Sequence, residues 1–472
     1  MKKTKIVASL GPKSSNIEII NEMVLAGVDV FRINLSHASF KQCDDLIDKI
    51  RKVEKKLNKI IGIMLDTNGP CIRIDKLKEE EVFLSKDKEI RFYNYHVVCN
   101  NTQLSTNCSN LVEFVNLGDC LYLAGGEVSL EVIEINDDNF ICKVVSEGII
   151  KSNQTLTIKN VIYKLPFISQ DDKENILYAI KNKVDFLALS NVRDEQDILS
   201  VIDMLIENGD EHISIISKIE NEKAIYNLEE ILKVSDGVMV ARGDLGINSS
   251  LYKLPYYQKK ILSLANEYQK IGLVATDLMK SMVLEKTPSR AEISDIYNAV
   301  LDKCDGLVLC DETTIGLYPV ECISYVSNII EEAEVDFPYH ENLEKTFKEG
   351  KLDVTSTISY SVVDSGLLLN AKCILANTMS GYTARKISYF RPKSLVLGLS
   401  PNINTIRSLT LNYGIIPVLV KKYHDTDQIV SECIKKYKET FEYSEDDVVI
   451  ITGGLPLNNK NTDFMKIEKI AD

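Results

Sequence analysis

The sequence predicts an α/β protein made of a (β/α)8 barrel, an all-β segment inserted into that barrel, and a separate α/β domain after it. Short apolar runs rich in β-branched residues alternate with longer stretches of helical periodicity along most of the 472 residues. One connection between two such runs instead has the composition of a small all-β domain. A polar stretch then separates the first eight units from a new series of βα units.

Eight of the apolar runs are predicted to be the strands of the barrel. Strands that alternate with helices form parallel sheets, and eight such units favour a closed TIM barrel over an open sheet. The predicted strands are Lys5–Leu10, Val28–Asn34, Ile60–Asp66, Val184–Ser190, Ile213–Ile219, Gly237–Ala241, Gly272–Thr276 and Gly306–Cys310. The predicted helices between them include Ile17–Ala26, Lys173–Lys181, Asp194–Glu207, Pro255–Tyr268 and Arg290–Leu301.

The inserted segment follows the third predicted strand. It is rich in Val, Ile, Thr and Tyr, and its turn signals have the spacing of a small all-β domain. We therefore expect it to lie at the mouth of the barrel. The turn signals are Asn100-Asn101, Gly125-Gly126 and Asp137-Asp138.

A further α/β domain follows the barrel. The chain leaves the barrel near Asp336, and a polar run to Gly350 leads into new βα units. The predicted strands of these units are Lys372–Leu375, Ser394–Leu399, Ile415–Leu419 and Asp447–Thr452. The predicted domains are residues 1–68 with 164–336 for the barrel, 69–163 for the insertion and 337–472 for the C-terminal domain.

The composition excludes several classes of partner. A formal net charge of −14 is unfavourable for nucleic acid or an anionic membrane, because both bind basic protein surfaces. No apolar run approaches the ~18 residues of a spanning helix, and from the short apolar run after the first residues we expect no signal peptide. Eleven cysteines without a CxxC pair indicate neither a disulfide framework nor a zinc site. We expect reduced thiols and a cytoplasmic location.

Seven of the predicted strands end in charged or hydroxyl side chains. Catalytic groups of such barrels lie at the C-terminal ends of the strands, and converging charges are costly to desolvate without a ligand. In strand order, these residues are Arg32, Asn34, Ser36 and His37; Asp66 and Thr67; Ser190 and Arg193; Lys218 and Glu220; Arg242, Gly243 and Asp244; Thr276 and Asp277; Cys310, Asp311 and Glu312.

This set of side chains indicates a particular chemistry. Lys218 and Glu220 are two residues apart at a strand end, a spacing that puts the cation and the carboxylate on one side. Two carboxylates, a lysine and glycine-containing turns suit magnesium and an anionic substrate, and there is no His or Cys set for zinc. The residues alone therefore predict a magnesium-dependent barrel enzyme that acts on a small acidic substrate.

At these strand ends the sequence resembles the pyruvate kinase family. The matching segments fall in order over the barrel and the C-terminal domain, and the resemblance covers nearly the whole chain. They are Thr4–Lys13 (TKIVASLGPK), Arg32–His37 (RINLSH), Leu65–Pro70 (LDTNGP), Ile216–Asn221 (ISKIEN), Val238–Gly246 (VMVARGDLG), Pro288–Glu292 (PSRAE), Asn298–Asp302 (NAVLD) and Asn461–Lys466 (NTDFMK).

The resemblance implies a glycolytic enzyme that transfers the phosphoryl group of phosphoenolpyruvate to ADP, giving pyruvate and ATP. It implies a β lid inserted after the third strand and a C-terminal regulatory domain. The implied catalytic residues are Lys218, which neutralises the phosphoryl group in transfer, Thr276 and Arg32. The implied ligand sets are Glu220 and Asp244 for Mg²⁺ or Mn²⁺; Asn34, Ser36, Asp66 and Thr67 for K⁺; Lys218, Gly243, Asp244 and Thr276 for phosphoenolpyruvate; and Arg32, His37 and Arg73 for the nucleotide phosphates.

The resemblance also implies an allosteric homotetramer. The family binds phosphorylated effectors at a loop that matches Thr378, Ser380, Gly381 and Thr383. Small residues there expose backbone N–H groups to an anion at the start of a helix, which we predict to begin near Ala384. Tyr382 stands beside the loop where the family usually has Arg or Lys.

The chain departs from the family pattern mainly on the lid and nucleotide side. Asn68 stands where Lys is usual, and Cys71 where Glu or Lys is usual. Further departures are Ala124 and Gly125 for two aspartates, Gln154 and Thr155 for a Lys-Gly pair, Asn191 for an aromatic residue, Asp277 for Gln, and Cys310-Asp311 for a Ser-Gly pair.

These departures leave two functions open. A working but divergent kinase is favoured, because Lys218, Glu220, Asp244 and Thr276 are retained. The alternative is a degenerate paralogue that binds phosphoenolpyruvate or a sugar phosphate as a sensor or interaction protein. A barrel aldolase or lyase acting on a 2-oxo acid shares the metal and the acidic substrate, but it explains the C-terminal domain poorly.

Two residues carry further expectations. Cys71 provides no cation at the lid hinge to balance Asp66 and the substrate phosphates, so we expect activation by potassium. Cys310 replaces a serine proposed to relay a proton in the family. The alternative for Cys310 is a buried thiol that acts as a small apolar group.

Overall fold

A closed barrel of eight parallel strands forms the centre of the protein. The computed structural model describes residues 1–159, 161, 165–350, 353–422, 425–454 and 462–470. The strands pair in chain order around the ring, which closes where the first strand pairs with the eighth. The predicted (β/α)8 barrel is confirmed, and the ends of each predicted strand lie within about two residues of the observed ends. The barrel strands are Lys5–Ser9, Val30–Asn34, Gly62–Asp66, Phe186–Leu189, Ser214–Ile219, Gly237–Ala241, Ile271–Ala275 and Gly306–Leu309.

Helices connect the barrel strands, and local capping signals set several helix ends. The Asn16 side chain accepts a hydrogen bond from the Glu18 N–H at the first helix, which stops at Gly27 with φ 128°. Ser289 and Glu292 form a capping box where a later helix begins. The helices are Ile17–Ala26, Phe40–Leu57, Gln170–Lys181, Glu195–Glu207, Glu222–Tyr226, Leu228–Val234, Arg242–Asn248, Leu254–Glu267, Arg290–Leu301, Asp311–Thr314 and Pro319–Val335, with 3₁₀ turns at Leu251–Lys253 and Lys280–Val283.

Apolar side chains fill the barrel, and the C-terminal domain closes one of its ends. Leu411 belongs to the same apolar cluster as the inward-facing strand residues Val7, Met64 and Val308. Lys5, at the start of the first strand, donates to the carbonyl of Ile415 at 2.6 Å. The N-terminal ends of the strands are therefore covered, and the predicted site residues lie at the opposite end.

The segment after the third strand is all β, as predicted. Seven of its strands form one sheet, and the strands Glu81–Leu84 and Gly148–Lys151 form a separate antiparallel pair. A Cβ added to Gly126 would lie 3.3 Å from Ile247 of the helix Arg242–Asn248, so the insertion packs over the C-terminal ends of the barrel strands. The predicted boundary at residues 163 and 164 lies outside the described residues. The strands are Ile72–Arg73, Glu81–Leu84, Glu89–Tyr93, Gln103–Ser105, Cys120–Leu123, Val128–Ile135, Asn139–Ser146, Gly148–Lys151 and Thr155–Ile158, with 3₁₀ turns at Leu111–Phe114 and Ala124–Gly126.

The C-terminal part is a five-stranded α/β sheet. Its four predicted strands are confirmed and are parallel, while a fifth strand, Phe464–Lys469, pairs antiparallel with Val448–Gly453 and was not predicted. The first helix after the strand Cys373–Asn377 begins at Tyr382 and not near Ala384. The other strands are Leu395–Ser400 and Ile415–Leu419, and the helices are Tyr339–Glu349, Val354–Leu368, Tyr382–Tyr389, Ile403–Ser408 and Thr426–Thr440, with a 3₁₀ turn at Leu409–Leu411.

Two findings bear on the expectations from composition. All eleven cysteines are free thiols. Within the described ranges, no helix combines the length and the apolar character needed to cross a bilayer.

Candidate active site

Asp66 lies at the centre of a buried group of charged side chains. It is the last residue of the third barrel strand and is 1% exposed. Arg32, on the neighbouring second strand, contacts Asp66 Oδ2 through Nε at 2.7 Å and Nη2 at 2.6 Å. Burial by itself would raise the pKa of the Asp66 carboxyl, but the charges of Arg32 and Lys218 hold that pKa below its ordinary value. Asp66 is therefore ionised at neutral pH.

Lys218 lies among three acceptors at the end of the fifth strand. Its Nζ is 3.2 Å from Asp66 Oδ1, 2.8 Å from Ser190 Oγ and 2.9 Å from Glu220 Oε1. Burial disfavours the ammonium form, but Asp66 and Glu220 more than offset it and raise the pKa of Lys218 above its ordinary value. Lys218 and Glu220 do lie on one side, as their spacing predicts. The result is a fixed positive charge in a buried site.

Glu220 and Asp244 are the two carboxylates that could hold a divalent metal. Glu220 Oε2 accepts a hydrogen bond from the Asn191 N–H at 2.6 Å. Glu220 Oε1 is buried and receives no hydrogen bond from the described residues, and it has only its ionic contact with Lys218. Burial raises the pKa of Glu220, an effect that Lys218 opposes and Asp244 increases.

This donor set fits magnesium. Among the residues that the structure describes, no group of three His, Cys, Asp or Glu side chains could enclose a metal by itself. Magnesium is commonly held by one or two carboxylates, with water and substrate phosphate oxygens as the remaining ligands. Glu220 Oε1, which is buried without a hydrogen bond from the described residues, and the neighbouring Asp244 charge meet that requirement.

Thr276 follows the seventh strand and lies against Gly243. A Cβ added to Gly243 would be 3.0 Å from Thr276 Cγ2, so a larger residue at position 243 would press on Thr276. Gly243 and Asp244 lie in the first turn of the helix Arg242–Asn248, where backbone N–H groups have no acceptor within the helix. A negatively charged group bound beside Thr276 could accept hydrogen bonds from these N–H groups.

Comparisons with known proteins identify the family. The domain described as "Pyruvate kinase, barrel domain" matches residues 1–323, and "Pyruvate kinase, alpha/beta domain" matches residues 356–468. The chain is similar to the pyruvate kinase of Staphylococcus epidermidis strain ATCC 35984, with 38% identity over 100% of this chain and 81% of the relative. It is 36% identical, with the same coverage, to the pyruvate kinase of Staphylococcus aureus strain MRSA252. The chain belongs to the pyruvate kinase family.

The residues matched to the potassium site of pyruvate kinases are only partly brought together. Asn34 and Asp66 are paired across the second and third strands, and Asn34 Oδ1 accepts from the Ser36 N–H at 3.0 Å. Thr67 differs, because its hydroxyl donates to the carbonyl of Ala188 at 3.3 Å on the fourth strand. Asp66 already makes four contacts, with Arg32 twice, Lys218 and Ser190. A monovalent cation there would have to share or replace one of them.

The three residues matched to the nucleotide phosphates lie close to one another. Arg73 Nη2 donates to Ser36 Oγ at 3.1 Å, and Arg73 Nη1 donates to the carbonyl of Asn153 on the lid at 3.0 Å. Partial burial lowers the pKa of His37, and the charges of Arg73 and Arg32 lower it further. His37 is therefore neutral at neutral pH, and the positive charges of this corner are those of Arg32 and Arg73.

Several positions where the chain departs from other pyruvate kinases lie on the lid or where the lid meets the barrel. Asn68 Oδ1 accepts from Ser36 Oγ at 2.6 Å, which ties the lid hinge to the loop after the second strand. Burial raises the pKa of the Cys71 thiol, which Arg73 opposes, so Cys71 is neutral. Gln154 Oε1 accepts from the Lys151 N–H at 2.9 Å. A cavity of about 60 Å³ lies between lid and barrel, lined in part by Cys71, Thr155, Asn191, Asp244 and Asn248.

Cys310 reaches the same charged group from the eighth strand. Its Sγ is 3.8 Å from Arg32 Nη1. Burial raises the pKa of the Cys310 thiol above its ordinary value, although Arg32 opposes this. The thiol is therefore protonated at neutral pH.

The loop matched to the effector site of pyruvate kinases is compact. Gly381 has φ 84°, and a Cβ there would lie 2.5 Å from Arg385 Nη1. Arg385 Nη2 donates to the Ser380 carbonyl at 2.6 Å. Thr378 and Thr383 are both 5% exposed, and Thr383 Oγ1 lies 2.8 Å from Thr462 Oγ1. Ligand access is therefore better to the loop backbone and Ser380 than to these two hydroxyls.

Three contacts in the site were not predicted from the sequence. Ser190 bridges Lys218 and Asp66, and the Asn191 backbone binds Glu220 with φ 55° at Asn191. Arg242 contacts the turn at Thr276. In the sequence, only the positions of Ser190, Asn191 and Arg242 near strand ends indicated that they belong to the site. Their partners could not be predicted, because these come from different strands.

Proposed function

We propose that this chain catalyses transfer of the phosphoryl group of phosphoenolpyruvate to ADP, giving pyruvate and ATP in glycolysis. The observation that carries the proposal is the buried ammonium group of Lys218 between Asp66 and Glu220, in a chain that matches pyruvate kinases over its full length. A fixed charge at this place can neutralise the phosphoryl group as it passes between substrates, which is the main task of a protein in such a transfer.

Glu220 and Asp244 would hold Mg²⁺ or Mn²⁺, which when bound would supply positive charge to the phosphoryl oxygens. Lys218 then acts on the phosphoryl group itself. The N–H groups of Gly243 and Asp244 bind the carboxylate of phosphoenolpyruvate, and the Thr276 hydroxyl lies near the carbon that is protonated. Arg32 fixes Asp66 and, with His37 and Arg73, faces the phosphates of the nucleotide.

We assign potassium to Asn34, Ser36, Asp66 and Thr67 as the monovalent cofactor. The support is a set of hard oxygen donors beside an ionised carboxylate, with a neutral thiol at Cys71. Arg73 within 3.1 Å of Ser36 Oγ argues for a weak site, because the guanidinium competes for the same oxygen.

We also propose domain limits, an effector site and an assembly for this chain. The barrel comprises residues 1–68 and 164–336, the lid 69–163 and the regulatory domain 337–472. A phosphorylated effector would bind at Thr378, Ser380, Gly381 and Thr383, chiefly through the backbone. The enzyme would act in the cytoplasm as an allosteric homotetramer, without nucleic acid or membrane as partner.

Three residues of the lid support a second candidate function. Ala124, Gly125 and Gln154 remove charged groups from the lid, so a paralogue that binds phosphoenolpyruvate or a sugar phosphate without turnover is the second candidate. Pyruvate formation from phosphoenolpyruvate and ADP, coupled to oxidation of NADH by lactate dehydrogenase, tests the choice. The proposal expects turnover that requires both Mg²⁺ and ADP. Binding of phosphoenolpyruvate without pyruvate formation would support the paralogue.

A further inference from the structure

The backbone just after the seventh barrel strand is in an unusual conformation. Thr276 has φ 76° and Asp277 has φ 53°, so two consecutive residues with side chains are in the left-handed region. That region is sparsely populated by residues other than glycine, and a β-branched residue such as Thr276 is especially rare there. Such a conformation persists only where surrounding contacts hold it.

Arg242 makes those contacts. It directly follows the sixth strand, and the register pair Ala241 with Ala275 brings it beside Thr276. Arg242 Nε and Nη2 both donate to the Thr276 carbonyl, at 3.0 and 2.7 Å, and Nη2 also donates to the Asp277 carbonyl at 3.2 Å. One guanidinium group thus binds the carbonyls of both residues that have positive φ.

The guanidinium group is held from its other side. Nη1 contacts Asp295 Oδ2 at 2.7 Å on the helix Arg290–Leu301 and Gln258 Oε1 at 3.4 Å on the helix Leu254–Glu267. A guanidinium has five N–H donors, and these five hydrogen bonds use all of them. Arg242 therefore has no donor left for a substrate, and its side chain is only 11% exposed.

We propose that Arg242 is a positioning residue, which holds the Thr276–Asp277 turn in its left-handed conformation and so fixes the Thr276 hydroxyl beside Gly243. The inference rests on the proposed function, in which Thr276 is near the carbon that is protonated. A lysine at position 242 keeps the charge but has no planar fork, so it cannot bind both carbonyls and Asp295 together.

A double-mutant cycle tests this role. Arg242→Lys should lower kcat by about 10- to 100-fold, the effect expected of a misplaced catalytic group, with little change in KM for ADP. In a Thr276→Ala background the same Arg242→Lys change should lower kcat by less than about threefold, because the group that Arg242 positions is already absent. Arg91→Lys, an exposed arginine of the lid, is the matched control and should leave kcat unchanged.

The cycle separates this role from general destabilisation. A loss of kcat that is equal in both backgrounds, or no loss at all in Arg242→Lys, would overturn the proposal. If Arg242→Lys does not fold, Asp295→Ala takes its place in the cycle, because it leaves the guanidinium but removes the carboxylate that holds Nη1. If the wild type forms no pyruvate, the proposed function fails, and the affinity of the same proteins for phosphoenolpyruvate, measured by calorimetry with magnesium, decides the Arg242 inference by the same comparison.

Discussion

Replacement of Lys218 by methionine is the most direct test of the site. The change keeps an unbranched side chain one atom shorter and removes the charge that lies 3.2 Å from Asp66 and 2.9 Å from Glu220. Arg32 still neutralises Asp66 through two contacts, so the group around Asp66 keeps one cation. Glu220 loses its ionic partner and should become easier to protonate.

The size of the effect follows from the position of the charge. A unit charge about 4 Å from a phosphoryl oxygen contributes ~4 kcal/mol at an effective dielectric constant of ~20. Part of this attraction is offset, because the charge of Lys218 is already partly balanced by Asp66 and Glu220. We therefore expect the activation free energy to rise by about 3 kcal/mol or more, which lowers kcat at least ~100-fold.

The assay is pyruvate formation at saturating phosphoenolpyruvate, ADP, magnesium and potassium. Exchange of the pyruvate methyl protons with solvent, followed by NMR, should persist, because it does not require a phosphoryl group in transfer. Lys223→Met is the matched control: its Nζ lies 2.6 Å from Asp194 in a partly exposed ion pair, and kcat should change by less than about twofold. A kcat for Lys218→Met within about threefold of wild type, in a protein that unfolds at the wild-type temperature, would refute the assignment.

Three further predictions concern the cation site, Cys310 and the effector loop. Initial rates in tetramethylammonium, sodium and potassium chloride at equal ionic strength should be highest in potassium, and Ser36→Ala should weaken that preference; equal rates in all three salts would mean that Arg32 and Arg73 suffice. Because burial raises the pKa of the Cys310 thiol, the thiol stays protonated as the pH rises through its ordinary value, so kcat should show no inflection between about pH 7 and 9. Cys310→Ala should give the same profile, whereas an inflection that this variant removes would establish a proton relay. Sugar phosphates or nucleoside monophosphates should raise the unfolding temperature of the wild type but not of Gly381→Ala, whose added Cβ would lie 2.5 Å from Arg385; no shift with any of them, and no change in substrate cooperativity, would contradict an effector site.

Much of the fold could be predicted from the sequence, because it depends on short-range patterns. The strand Gly237–Ala241 and the helices Ile17–Ala26 and Arg290–Leu301 were predicted with their observed ends, since each has clear periodicity and a local cap or turn. The strand Phe464–Lys469 was missed, because none of its residues is buried at this edge of the sheet and no apolar run marks it. The start of the helix at Tyr382 was placed two residues late, because Gly381 takes a left-handed conformation that composition does not reveal.

The sequence by itself also determined which residues stand at the strand ends, since strand periodicity and family motifs both fall there. Only the tertiary structure decided how these residues are paired. Asp66 binds Arg32 from the second strand and Lys218 from the fifth, and Ser190 from the fourth joins them, because closing the barrel brings distant strand ends together. The left-handed turn at Thr276 has the same origin: nothing local favours it, and it is held by Arg242 from the adjacent strand.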